Sequence, residues 1–316
     1  MKLVILDGNA LNPGDLSWDS FKKYADITVF PRTSKNEVVE RIGNNEAILL
    51  NKVKITREIL SECKNVRYIG LLGTGYDGID REAAKEAGIC VTNIPSYSTM
   101  AVAQHVFAFL LYFSNSIAQH NLSVQEKKWM KSPDYCYWET QLFELYGKTL
   151  GILGYGNIGQ QVEKIAEAFG MNVIVCPHYP SSKIKNCVSF DELLQKSDVI
   201  TLHTPLTTET ENIINASSIT KMKDGIYLIN TARGGLVNER DIRAFLESKK
   251  IAGYASDVLE TEPMAQDCPL FNAPNCIITP HIAWTPLETR RRLMKMAFEN
   301  FESWINGNLR KDVLLT

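Results

Sequence analysis

The chain lacks the features that mark several large protein classes. Its 34 basic side chains nearly balance its 36 acidic ones, leaving a net charge of -2. No long-range field therefore draws it to nucleic acid or to anionic lipid. The seven cysteines, at 63, 90, 136, 176, 187, 268 and 276, are odd in number and form no Cys-x-x-Cys pair. That excludes a disulfide framework and a structural zinc site, and it reads as reduced thiols buried as small apolar side chains. The first apolar run stops after four residues at Asp7, too short for a signal peptide or a membrane span, so no membrane contact and a cytoplasmic location are expected. No repeat or low-complexity tract appears, and 316 residues that are 45% hydrophobic suit a globular chain with two cores.

What is present is a rhythm. Short apolar runs, KLVIL (2–6), ITVF (27–30), AILL (47–50), VRYIGLL (66–72) and ICVTN (89–93), alternate with stretches such as KNEVVERIG and DREAAKEAG. The apolar spacing of the latter and their closing Gly read as capped helices. This is βαβ grammar, which implies a parallel sheet covered on both faces.

From Thr99 to about 129 no turn signal occurs, and AVAQHVFAFLLYF (101–113) predicts one long buried helix suited to a domain bridge or an oligomer interface. Gln104 and His105 interrupt it too early for a membrane span; His105 is expected to pack within the helix. The aromatic, irregular segment 131–147 reads as a packed loop. Six further strands follow: KTLGILG (148–154), NVIVC (172–176), VITLHT (199–204), IYLINT (226–231), IAGYASDV (251–258) and CIITP (276–280). They suffice for a complete doubly wound nucleotide domain. The amphipathic stretch TPLETRRRLMKMAFENFESWING predicts a helix that returns to the first domain.

Strand KTLGIL runs directly into Gly154-Tyr155-Gly156-Asn157-Ile158-Gly159. The first glycine allows a tight turn, the second lets backbone amides approach a pyrophosphate, and the third lets a helix lie close to the strand. Placement between a strand and a helix lifts the motif above a chance GxGxxG. The ribose position follows about 20 residues on, at Cys176, Pro177 and His178, where no carboxylate occurs. An acid there would bind ribose hydroxyls and repel a 2′-phosphate, so both NAD(H) and NADP(H) stay open. His178, Ser181, Ser182 and Lys183 could meet that phosphate or be ordinary loop polars. No further ligands stand at zinc spacing, so no metal is expected. His203, Thr204 and Pro205, ending a strand, lie where the cofactor would pass.

Three later strand ends carry polar groups at the edge where parallel sheets bind ligands. Thr231-Ala232-Arg233-Gly234-Gly235 follows IYLIN, Asp257 and Glu260-Thr261-Glu262-Pro263 follow IAGYAS, and His281 follows CIITP. A small 2-oxo acid needs a planar, permanently charged clamp, which Arg supplies. Hydride addition to its carbonyl carbon leaves an alkoxide that needs a proton, which His can give and take back near neutrality. A neighbouring carboxylate would fix that ring. Arg233 alone could cap a helix, Glu262 could be a loop charge and His281 a satisfied core histidine; together they supply the parts.

These residues resemble the D-2-hydroxyacid dehydrogenase family over essentially the whole chain, through LLGTGYDGID, NIPSYSTMAVAQH, TLGILGYGNIG, LHTPLT, INTARGGLVNE, DVLETEP and TPHIAW in the expected order. The resemblance implies an α/β protein with two Rossmann-like, doubly wound parallel-sheet domains and an interdomain cleft. Residues 1–99 and 285–316 would form the substrate domain and 100–284 the dinucleotide-binding domain. It implies an oxidoreductase moving hydride between NAD(H) or NADP(H) and a small 2-oxo or D-2-hydroxy acid, in a homodimer whose interface uses the long helix.

By the same resemblance Arg233 binds substrate, His281 is the acid/base group and Glu262 pairs with it. Backbone amides near Leu72, Gly73 and Gly75 would receive the substrate carboxylate, with Trp284 among the substrate contacts. The implied cofactor contacts are Thr99, Gly154 to Gly159, Pro177, His178, His203, Thr204, Pro205, Thr231, Ala232, Arg233, Asp257 and His281. AVAQH, YCYW and Trp284 look most like hydroxypyruvate reductases (glycerate dehydrogenases) and glyoxylate reductases, whereas the Asp common in the family is replaced at Pro177. The extra C-terminal regulatory domain of many phosphoglycerate dehydrogenases is expected to be absent. A dinucleotide-sensing, corepressor-like binding protein on the same fold is the alternative, and the complete Arg, Glu and His set argues against it.

Overall fold

The computed structural model describes residues 1–177, 184–309 and 314. The chain forms two compact units, 1–98 with 284–316, and 99–283.

In the first unit, β1 (Lys2–Ile5), β2 (Asp26–Val29), β3 (Ala47–Leu50), β4 (Tyr68–Leu71) and β5 (Cys90–Thr92) form a wholly parallel sheet of order β2-β1-β3-β4-β5. Alternate residues serve two cores. Val4, Ile48, Leu50, Ile69 and Leu71 face one side with α1 (Val38–Ile42), α2 (Arg57–Glu62) and α3 (Arg81–Glu86). Leu3, Ile5, Ala47, Leu49 and Tyr68 face the other. This double burial is why the strands read as unbroken apolar runs.

In the second unit, β6 (Thr149–Leu153), β7 (Asn172–Cys176), β8 (Val199–Leu202), β9 (Ile226–Asn230), β10 (Ile251–Ser256) and β11 (Cys276–Ile278) form a parallel sheet of order β11-β10-β9-β8-β6-β7. The helices are α4 (Thr99–Asn115), α5 (Ile117–Gln125), α6 (Asn157–Ala168), α7 (Phe190–Lys196), α8 (Ala216–Thr220) and α9 (Glu239–Glu247). The final helix, α10 (Leu287–Ile305), belongs to the first unit. It buries Leu293, Met294, Ala297 and Phe301, and the Trp304 ring lies tilted against Tyr68, 4.8 Å between centroids.

Three expectations need correction. The long helix is two, α4 and α5, bent by 52° at Ser116, whose φ of +45 lies in the left-handed region. The short polar run Ser114-Asn115-Ser116 offers side-chain hydrogen bonds that compete with the helix, and Ser114 Oγ indeed donates to Leu111 O. Among the described residues no single helix is long and apolar enough to cross a membrane, and α4 buries Ala103, Val106, Phe107 and Leu110 in the core of the second unit. Segment 131–147 is irregular as expected and only partly packed: Phe143 and Leu145 join the core of the second unit, whereas Tyr135, Trp138 and Tyr146 are exposed. The cysteines are unpaired, yet Cys136 and Cys187 are exposed, not buried.

Candidate functional site

In the second sheet the strand order reverses between β6 and β8, the place where open parallel sheets leave a crevice for ligands. The glycine turn lies there. Gly154 has φ +91, and a Cβ on it would sit 2.5 Å from the carbonyl of His203 and the amide of Thr204. A Cβ on Gly159 would meet Gly154 O at 2.5 Å, whereas one on Gly156 would meet nothing. Two glycines thus permit close packing, and the middle one keeps space free beside the start of α6. Side-chain oxygens of Thr56, Asp80, Ser189, Asn215 and Asn238 cap α2, α3, α7, α8 and α9, while α6, like α1, α5 and α10, has no side-chain cap, and its N-cap is Gly156. Its first-turn amides suit an external anion such as a pyrophosphate. Thr231 Oγ1, at the end of β9, is buried without a hydrogen-bond partner among the described residues. A cradle without side chains and an orphaned buried hydroxyl fit a bound dinucleotide.

The other expected cofactor positions surround that turn. His203 Nε2 lies 2.9 Å from Thr201 Oγ1, and burial drives its pKa down to about 3, so its ring is neutral. Thr204 is buried and the Pro205 carbonyl accepts from Thr210 Oγ1 at 2.7 Å. Tyr155 and Ile158 pack against the core beneath, Ala232 packs against the neighbouring core, and Thr99 and Asn157 begin α4 and α6. The Tyr155 hydroxyl donates to Glu163, and burial with that carboxylate pushes its pKa up to about 12. Pro177 follows β7; His178 and 181–183 lie outside the described residues.

The ends of β9, β10 and β11 hold the polar trio. Asn230 clamps the turn at Arg233: its Oδ1 accepts from Ala232 N at 3.0 Å and its Nδ2 donates to Arg233 O at 2.9 Å. A Cβ on Gly234 would fall 1.9 Å from the Leu259 carbonyl carbon, so only glycine lets the Arg233 turn rest on the 259–262 segment. There Glu262 Oε1 accepts from Leu259 N at 3.1 Å, and Glu262 Oε2 lies 2.7 Å from His281 Nδ1. Both side chains stay partly open to solvent. The pair recognised in the sequence is thus an actual contact.

Two residues that hold this arrangement were not legible as such. Glu239, almost fully buried, accepts from Glu260 N at 2.9 Å and from the Cys268 thiol at 3.6 Å, tying α9 to the segment that carries Glu262. His105, expected merely to pack, places Nε2 3.0 Å from Thr279 Oγ1. Thr279 in turn donates to Asp257 Oδ1 at 2.5 Å. Asp257, 1% exposed, also accepts from Ile282 N and Ala283 N, each at 2.8 Å. Its carboxylate is therefore engaged with the loop that bears His281. The available signal was a polar residue interrupting an apolar helix face, which must find a partner when buried.

In the first unit, Leu72, Gly73 and Gly75 form the turn after β4. Leu72 N donates to Leu50 O at 2.7 Å, extending the strand ladder. Its amide is therefore not free for a carboxylate, and the expectation narrows to Gly73 and Gly75. The turn is held by Ile94 N donating to Gly73 O and by Asn93 Nδ2 donating to Thr74 O. Trp284 packs edge-on against Tyr97, 6.4 Å between centroids.

A parallel sheet with an open glycine turn at its switch point, an uncapped helix start and a Glu-paired His at the same sheet edge defines a dinucleotide-binding α/β enzyme. Residues 107–283 match the family model described as D-isomer specific 2-hydroxyacid dehydrogenase, NAD binding domain, and the chain belongs to that family. It is an oxidoreductase acting on 2-hydroxy acids with a nicotinamide dinucleotide, NAD(H) or NADP(H). It is 47% identical over 315 residues to a hydroxypyruvate reductase of Blautia hydrogenotrophica, covering 98% of each chain. A D-lactate dehydrogenase from Aquifex aeolicus, solved with NAD and lactic acid, superposes with a TM-score of 0.84 at 30% identity, covering 99% of both chains. An acyclic imino acid reductase solved with NADPH and D-Arg superposes with a TM-score of 0.87 at 31% identity over the full length of both.

Proposed function

We propose that the protein reduces hydroxypyruvate to D-glycerate, with glyoxylate as the next 2-oxo acid to consider. The observation that carries the reading is the 2.7 Å contact between His281 Nδ1 and Glu262 Oε2, beside the turn that presents Arg233. The carboxylate engages Nδ1 and orients the ring, so Nε2 is the nitrogen that meets the substrate oxygen. The Arg233 guanidinium binds the carboxylate or carbonyl oxygen of the 2-oxo acid and polarises it. A bound nicotinamide dinucleotide supplies the hydride to the carbonyl carbon. As negative charge develops on the oxygen, His281 delivers its Nε2 proton; in the reverse direction it takes that proton back. Gly73 and Gly75 in the first unit are assigned to the substrate carboxylate, with Trp284 alongside. The name of the 47% identical relative supports hydroxypyruvate over other 2-oxo acids.

The second unit is proposed as the dinucleotide-binding domain and the first as the substrate domain. Either dinucleotide remains open at Pro177. A homodimer in the cytoplasm completes the reading. Its support is the apolar surface that α4, α5 and the next segment leave exposed, with Tyr112, Ile117, Leu122, Met130, Tyr135 and Trp138 all open to solvent in one chain.

The test is loss of the near-ultraviolet absorbance of NADH or NADPH when purified protein meets a panel of 2-oxo acids. Fast turnover of hydroxypyruvate is expected. Fast turnover of a different 2-oxo acid with none of hydroxypyruvate would replace the substrate, and no turnover with any would favour a sensor.

A further inference from the structure

We propose that His105, on α4, is a positioning residue for His281, acting through Thr279 and Asp257. The proposal rests on the reading that His281 exchanges the substrate proton.

Counting protons gives the direction of each bond. A carboxylate only accepts, so the Thr279 hydroxyl must give its single proton to Asp257 Oδ1, 2.5 Å away. Thr279 Oγ1 can then only accept from its other neighbour, His105 Nε2 at 3.0 Å. The imidazole of His105 therefore carries its proton on Nε2. With Thr279 so oriented, Asp257 collects three donors, all from residues 279–283: the Thr279 hydroxyl, Ile282 N and Ala283 N. His281 stands within that segment with φ +56, a left-handed conformation that disfavours a non-glycine residue and persists only when its surroundings hold it. Its own amide turns back to Thr279 O at 2.9 Å.

The catalytic loop thus hangs on one buried carboxylate, and His105 supplies the last donor of the chain of bonds that orients it. Around the His105 ring stand the Phe109 ring, edge-on at 4.5 Å between centroids, and the Asp257 carboxylate, 3.8 Å from Nε2. Burial lowers the His105 pKa and Asp257 opposes that shift; because Nε2 bears a proton in both charge states, the bond to Thr279 does not depend on which one is present.

The experiment is steady-state kinetics of the full chain with hydroxypyruvate for His105→Leu, His105→Gln, Thr279→Val and the His105→Leu/Thr279→Val double variant, with His281→Asn alongside. Gln places an amide donor where Nε2 stands. His105→Leu is expected to lower kcat by about 10- to 100-fold, the scale of a catalytic group held loosely, with KM little changed, and His105→Gln to recover most of that loss. Thr279→Val should lower kcat at least as much, and the double variant no further, because both substitutions break one chain of bonds. A wild-type kcat in His105→Leu, a Gln variant no better than Leu, or losses that multiply in the double variant would overturn the proposal. Should His105→Leu fail to fold, the Gln variant and Thr279→Val decide it: a Gln variant as impaired as Thr279→Val would overturn it, and near wild-type turnover in Gln with strong loss in Val would support it. Full activity of His281→Asn would bring down the acid/base reading itself, a result separable from all of these.

Discussion

The two sheets share one strand arrangement, and they treat its crevice in opposite ways. In the first sheet the order reverses between β1 and β3. There Asp7 follows β1, and its buried carboxylate accepts from Asn51 N at 2.8 Å, Lys52 N at 2.6 Å and Val53 N at 3.3 Å, the amides that follow β3. Burial pushes the Asp7 pKa up while those amides pull it down, and burial prevails. In the second sheet the residue that follows β6 is Gly154, pressed without a side chain against His203 and Thr204 after β8. One crevice is filled by a carboxyl group that the chain supplies itself; in the other the space beside Gly156 holds no side chain. Topology makes both crevices, and the residues that follow the first strand differ between them: a carboxyl that takes up the amides in one, a glycine turn in the other.

The largest effect expected from breaking this contrast is at Gly154. Valine there would drive a Cβ into backbone 2.5 Å away at a φ that disfavours it. Dinucleotide affinity, read by quenching of protein fluorescence on titration with NADH, should fall about 100-fold or more, equivalent to about 2.7 kcal/mol. Unchanged affinity would mean that the turn does not carry the cofactor.

Asp7→Ala tests the filled crevice. Three buried amides would lose their acceptor, at a cost of about 2–4 kcal/mol, visible as a lower Tm, with NADH affinity of the second unit retained. Loss of NADH binding at an unchanged Tm would contradict the division of labour between the sheets.

The smallest effect sharpens the cofactor choice. Pro177→Asp should lower kcat/KM with NADPH relative to NADH by about tenfold, through repulsion of the 2′-phosphate. An unchanged ratio would show that Pro177 is not the selector.

The parts of the molecule legible in the sequence are those encoded by local pattern. Ten of the eleven strands sit within the apolar runs and β2 overruns its run by one residue, Asp26; the strands buried on both faces cannot hide their composition, whereas β2 is an exposed edge. Arg233, Glu262 and His281 stood out because each pairs a chemistry-bearing side chain with a strand end. What escaped was encoded by distance or by partners. His105 and Thr279 are 174 residues apart, and nothing near either announces the other. Glu239 drew no expectation, since the amide it accepts from lies 21 residues downstream at Glu260. The break at Ser116 was masked by the apolar face running up to it, and the Leu72 amide by a strand ladder that continues one bond beyond the strand.

The most direct test of the central claim is a single-turnover measurement of hydride transfer from NADH to hydroxypyruvate in His281→Asn against the unaltered protein, with NADH affinity measured on both. The account predicts transfer slowed by about 1,000-fold, the loss of a general acid, with NADH affinity unchanged within about threefold. Transfer at the unaltered rate, with NADH bound equally well, would contradict it.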